Sequence, residues 1–406
     1  MSKLKPLLCL FAPLLLVGCH VKITGDTYPP KVAAVLDAAG DNRPQLEQVI
    51  EHYRRSGDTL KLKAAYFLIG NLKDKSYVTY RLFDTSGATV SLDVLAYPDY
   101  KALTHAVDSI ERERGELDYE HTGETDDAKV ITADYLIHNI DAAFTAWREK
   151  PWARGLTFDE FCNYVLPYRG SNEPLENWRD TFLTRYADLT AELGDSADPI
   201  AVAARINDDI KSWFTFDPRY YYHPTDQGIK EMFASGKGRC EDMTNLAIYA
   251  MRANGLAVTS DYTPYWANSG NNHAWNAIVT PDGKVVPFMG CEANPGTYHL
   301  WNKLAKVYRK TFAQQPTTLA MQPHKQDSLP RFLGGDSYLD VTADYVPTVD
   351  VTITLKKSVP DSVDIAYICV FNSGHWRPID WGRIEGNQAT FHNIGTDIMY
   401  LPALYL

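Results

Sequence analysis

The sequence predicts an α+β fold: a mainly helical first half, then a mixed core, then a strand-rich C-terminal region. Three observations carry that expectation. Apolar residues recur at helical intervals through much of the chain before residue 194. Between 240 and 288 an amphipathic helical stretch is followed by three strand-like runs. From 338 onward the text turns to short alternating segments separated by turn residues.

Lys31 to Leu72 reads as helix. Its apolar stripes are Val35, Leu36, Ala38 and Ala39, then Leu46, Val49, Ile50 and Tyr53, then Leu60 to Ile69; Gly40–Pro44 and Ser56–Asp58 are the breaks. Tyr77–Leu82 is either a strand or a short helix. Tyr97–Gly115 and Ala133–Trp147 read as helices, and Glu111-Arg112-Glu113-Arg114 as a solvated face. Thr157 and Glu160 have the spacing of a capping box, and Pro167 ends the helix they start. That segment reads as helix packing or as a wall of a substrate cleft, and a further helix is expected from Asn172 through Leu189. Residues 31–194 are thus expected as a mainly helical region, 195–315 as the core, 316–337 as a polar connector and 338–406 as a β-sandwich-like domain.

Chemistry concentrates in the core. Ser235-Gly236-Lys237-Gly238 is a flexible lead-in, after which apolar residues at helical spacing run to the Asn254-Gly255 stop. The spacing predicts a helix over about Cys240–Ala253 with Cys240 in its first turn. A helix N-terminus offers unpaired N–H groups and partial positive charge, which favour a thiolate. Leu256–Ser260 and Ala274–Val279 read as strands, and Pro281-Asp282-Gly283 turns the chain into Lys284–Phe288. His273 opens the second of these strands and is the candidate base. Pairing about the turn sets His273 opposite Cys291, with Met289 and Cys291 on its face and Glu292 pointing away.

In these residues the chain resembles the transglutaminase-like superfamily, whose fold is papain-related. The matching pieces are Gly238-x-Cys240 opening a helix, His273-Ala274-Trp275 about thirty residues on, the hairpin after it, and the helix and aromatic segment Ile206–Asp217 before the cysteine. The resemblance implies Cys240 as nucleophile and His273 as base, in a papain/transglutaminase-like core. It also implies an aspartate about sixteen residues past the histidine, where this chain has Met289. Asn271, Asn272 and Glu292 are the alternatives for holding the imidazole. The Cys240 N–H is the natural first oxyanion donor; Trp213, Tyr220, Tyr221 and Tyr222 are candidates for the second. Cys291 offers a rival role, a disulfide to Cys240. The 157–169 segment resembles the region ahead of the core in Bacteroidetes lipoproteins that carry such domains.

The N-terminus reads as a lipoprotein signal peptide over 1–18: a basic start at Lys3 and Lys5, an apolar stretch from Leu7 to Val17 too short to span a bilayer, then Leu16-Val17-Gly18-Cys19. Cleavage before Cys19 would leave that residue as the lipid attachment site, with 19–30 as a tether. The expected location is a bacterial cell envelope, with the outer membrane as the anchor and either side of it open. The formal charge of −11 becomes more acidic once Lys3 and Lys5 leave, which argues against nucleic acid as a partner. No phosphate-binding glycine loop and no metal-ligand spacing occurs, so neither cofactor nor metal is expected. Six cysteines in 406 residues are too few for a disulfide scaffold. The expected function is a membrane-anchored cysteine enzyme acting on peptide or protein amide bonds through a thioester, by hydrolysis rather than amine transfer. The alternative is an inactive papain-like module that binds peptide or glycan.

Overall fold

The computed structural model describes residues 28–194, 198–330, 332–356 and 359–404. Cys19 and the leader lie outside the described residues.

The first part is built from helices at Pro30–Ala38, Arg43–Ser56, Thr59–Gly70 and Ala133–Glu149, as the apolar stripes predict. Gly57 reverses the chain with φ of 72°, and the Asp58 carboxylate then accepts from the Leu60 and Lys61 amides to start the next helix. Tyr53, Leu68, Ile140, Phe144 and Phe161 share one buried core. Ser76–Phe83 is a strand, paired antiparallel with Asp118–Asp126. That partner was illegible because it is polar and largely exposed on both faces.

The capping box forms: Thr157 Oγ1 accepts from the Glu160 amide, and Glu160 Oε2 from the Thr157 amide. The helix it starts, Phe158–Tyr164, buries Phe161 and Cys162 in the helical core. Just beyond, Asp127 accepts from Tyr168 Oη at 2.8 Å and Arg169 Nε at 2.6 Å. Of the two readings of 157–169, packing holds for the helix, while Pro167 and Arg169 at its end line a cavity of about 840 Å³. The helix expected from Asn172 starts only at Arg179. Glu173 instead takes the Gly170 and Ser171 amides, which holds a turn where the helix would begin.

The core is one buried helix against a five-stranded antiparallel sheet. The helix spans Cys240–Ala253, the expected bounds, and is buried from Asp242 to Ala253. The sheet runs in the order Val285–Phe288, His273–Val279, Val258–Thr263, Tyr308–Lys310, Tyr338–Asp340. Thr263 pairs with His273 and Asp261 with Trp275. The hairpin register is the expected one as far as Asn276–Phe288. There the chain leaves the sheet: Met289 and Ala293 exchange both backbone hydrogen bonds, and Cys291 takes φ of 63° in the turn between them. The register argument for Cys291 and Glu292 therefore ends at Phe288. Tyr338–Asp340, expected to open the C-terminal domain, closes the core sheet instead.

The alternating C-terminal text forms antiparallel strands in the order Thr348–Thr354, Gln388–Gly395, His375–Glu385, Ile365–Asn372, Leu401–Ala403. The long His375–Glu385 strand joins two halves. It pairs along its length with Ile365–Asn372, and only at Ile384 and Glu385 with Gln388–Gly395. Ile368, Val370, Ile379, Phe391 and Ile394 form their common core. Lys306, 1% exposed, fastens this layer to the core sheet, its ammonium reaching Asp340, Asp380 and the His392 carbonyl. No helix among the described residues is long and apolar enough to cross a membrane.

Candidate functional site

Cys240 is the first residue of the buried helix. The Asp242 carboxylate accepts from the Arg239 amide at 2.9 Å, and from the Gln227 amide and side chain at 3.0 Å. Those bonds hold the Gly238–Arg239 lead-in against the helix start. Burial, with Asp226 close by, raises the Asp242 carboxyl to about 6. Arg239 pairs with Asp226 at 2.7 Å and lies 3.5 Å from Glu241.

The Cys240 thiol is half-buried and donates to Glu241 Oε2 at 3.4 Å. Burial pushes its pKa well up, and the Glu241 carboxylate adds to the rise. The helix start was expected to favour a thiolate; desolvation and a carboxylate one residue away outweigh it here. In the resting structure Cys240 is a thiol. No hydrogen bond joins Cys240 to His273 among the described residues.

His273 begins its strand half-buried, with Trp266 stacked on it at 5.7 Å between ring centres and Trp275 at 5.9 Å. Burial lowers the imidazole pKa, against the pull of Glu241, so the ring is neutral at pH 7. Its Nε2 lies 2.7 Å from Tyr298 Oη. Burial first, then Glu292 and Cys240, raise the Tyr298 phenol, so this ring is near both members of the pair. Tyr298 was missed from sequence. It belongs to a loop after the Pro295-Gly296 turn, and only tertiary folding brings it to the strand.

Among the described residues none of the other candidates for holding the imidazole has a hydrogen bond to it. Met289, at the usual aspartate position, is 1% exposed and packs in the apolar core. Asn271 takes φ of 63° and turns its carbonyl to Trp266 and Asn372. Glu292 shares a cavity with His273 without bonding to it. Cys291 is buried and free, as is the half-buried Cys240, so the two are not joined. Of the four aromatic residues considered as oxyanion donors, Tyr221 is the one whose ionisation responds to Cys240. Burial, then Cys240 and Glu241, push its phenol up to about 12. Tyr220 is core, and the Tyr222 carbonyl accepts from Tyr119.

The C-terminal layer reaches the site through Asn372, 3% exposed. Its Nδ2 donates to the carbonyls of Trp266 at 3.0 Å, Ser269 at 2.8 Å and Asn271 at 2.9 Å. Those residues bracket the loop that ends in His273 and carries the indole stacked on it. The loop's geometry is thus set from a strand a hundred residues away in sequence.

His273 opens onto a cavity of about 420 Å³, with Trp266, Glu292, Tyr298 and Trp301 among its walls. A larger one of about 840 Å³, lined by Lys75, Arg252 and Lys310, takes in Pro167 and Arg169 from the 157–169 segment but neither Cys240 nor His273. The chemistry of Cys240 and His273 points to the smaller one. No cluster of metal-binding side chains occurs among the described residues.

Tyr298 supplies one expected result. Tyr298→Phe removes the hydrogen bond that orients His273, the one its ring makes among the described residues and worth about 1 kcal/mol, and should slow Cys240 alkylation by iodoacetamide about fivefold at pH 7. An unchanged rate would show that the phenol does not position the base.

Residues 187–289 match the family described as Transglutaminase-like superfamily. The match covers about a quarter of the chain and contains both Cys240 and His273. It supports a papain-like cysteine enzyme family for this part of the protein. No curated protein matches the chain.

Proposed function

We propose that this transglutaminase-like core is a cysteine enzyme acting on peptide or protein amide bonds, with Cys240 as nucleophile and His273 as base. The observation that carries the reading is the fixed imidazole: neutral, tied at Nε2 to Tyr298, and open to a cavity near the half-buried thiol that heads the core helix. With Nε2–H donating to the Tyr298 oxygen, Nδ1 is left as the base. Cys240 sulfur attacks the amide carbonyl as its proton passes to His273. The carbonyl oxygen becomes an oxyanion opposite the Cys240 N–H. The C–N bond then breaks, the leaving amine takes the proton from His273, and a thioester remains on Cys240. Water attack on that thioester releases an acid and restores the thiol; amine attack would instead make a new amide. We favour water, since it is the abundant nucleophile at an open site. Catalytic hydrogen bonds that are absent in a ligand-free site often form only when substrate docks. We further propose that Cys19 carries a lipid anchor that tethers the enzyme to a bacterial envelope membrane.

A second reading has one observation in its favour: the thiol bonds to Glu241, not to the imidazole. On that reading the core binds peptide or glycan without turning it over. A thiol-reactive amide mimic separates the two. Labelling lost in Cys240→Ala and kept in Cys162→Ala supports the enzyme; ligand binding without labelling supports the binding module.

A further inference from the structure

Two walls of the smaller cavity take no part in the Cys240–His273 chemistry. The first is Glu292. Among the described residues no ion pair engages its exposed side chain, and partial burial of the carboxyl raises its pKa. The second is Trp301, 87% exposed, more than any other large apolar side chain described. At the cavity rim that indole offers an open π face to a bound group. Its one ring neighbour is His299, at 5.6 Å.

The cavity is lined by Trp266, His273, Glu292, Tyr298, His299 and Trp301 together with small or neutral residues, and no lysine or arginine. At the nucleophile end Glu241 stands beside Cys240, and Arg239 lies between two carboxylates, Asp226 at 2.7 Å and Glu241 at 3.5 Å. A carboxylate with no ion-pair partner among the described residues, next to an exposed indole and a half-buried phenol, is the arrangement that recognises an ammonium or guanidinium group. The carboxylate pairs with the charge and the rings attract it through their negative faces.

We infer that this arm of the cavity binds a cationic group of the substrate, a basic side chain or free amino group adjoining the amide that Cys240 attacks. This rests on the reading of Cys240 and His273 given above and names the substrate class for it. An amine held as an ammonium has no lone pair to attack a thioester, so the role is recognition, not activation of an acceptor.

The test uses the full chain and three methanethiosulfonate reagents that label Cys240: a trimethylammonium-ethyl form, a neutral methyl form and a sulfonatoethyl form. The other described cysteines are buried, and Cys240→Ala reports any background from them. The cationic reagent should react about tenfold faster than the anionic one, as an acidic cleft concentrates its counter-ion. Glu292→Gln should bring that ratio close to one and leave the neutral reagent's rate unchanged. Trp301→Ala should slow the cationic reagent several-fold and spare the anionic one. Equal rates for the two charged reagents in the unaltered protein, or a preference that survives Glu292→Gln, would overturn the inference. Labelling rates need no turnover, so this result stands apart from the catalytic reading. A protein that cleaves amides yet shows no charge preference loses this inference alone.

Discussion

Replacing Cys240 by alanine is expected to abolish both covalent labelling by an amide-mimic probe and any amide turnover, a fall in kcat on the order of a millionfold. The size follows from the chemistry: without sulfur there is no thioester, and only residual binding and N–H groups act on the carbonyl. Stability should hardly change. The side chain is small, half-buried and bonded only to Glu241 at 3.4 Å, a long contact to a sulfur. The parallel change Cys162→Ala removes a buried thiol from the helical core and should leave labelling intact. Equal labelling of the two variants would take Cys240 out of the mechanism.

Asp261→Ala should be the most destabilising single change near the site, by about 3–5 kcal/mol in chemical denaturation. Asp261 is 0% exposed and accepts from Arg309 Nε at 2.9 Å, Arg309 Nη2 at 2.8 Å and Tyr345 Oη at 2.6 Å. Removing it leaves a buried guanidinium whose remaining carboxylate, Asp344, lies 3.5 Å away and is 41% exposed. Tyr345 Oη also accepts a hydrogen bond from Trp275 Nε1 at 3.1 Å, and Trp275 stands two residues along the strand from His273. The loss should therefore reach the site as well, slowing Cys240 alkylation. The double change Asp261→Leu with Arg309→Met removes both charges and should recover most of the stability. A loss below about 1 kcal/mol in the single variant would mean that the pair contributes nothing beyond its own desolvation.

What the sequence made legible was local. The helix at Cys240–Ala253 could be bounded because Gly236 and Gly238 precede it and Asn254-Gly255 stops it. The hairpin followed from Pro281-Asp282-Gly283, and its register held until Phe288. What stayed hidden depends on contacts distant in sequence or on burial. Tyr298 reaches His273 from a loop without periodicity, and Asn372 braces the same loop from the C-terminal layer. Tyr338–Asp340 alternates like its C-terminal neighbours and gives no sign that it will pair with Tyr308–Lys310. The thiol's protonation was misjudged for a similar reason. A helix start can be read from one stretch of sequence, whereas the desolvation of Cys240 and the approach of Glu241 come from packing around it.

The resting pair is a thiol raised by burial and a neutral imidazole lowered by it, so proton transfer happens on encounter with the electrophile. Iodoacetamide alkylation of Cys240 should be followed from pH 5 to pH 10 in the unaltered protein and in His273→Ala. The rate should rise on the acid side of neutrality, as the imidazole with its lowered pKa gives up its proton, and then level off, with no low-pH plateau because no thiolate is preformed. At pH 7 His273→Ala should be slower by at least about a hundredfold, the ordinary contribution of a positioned base. Superimposable profiles for the two proteins would contradict the account, since His273 would then take no proton from Cys240.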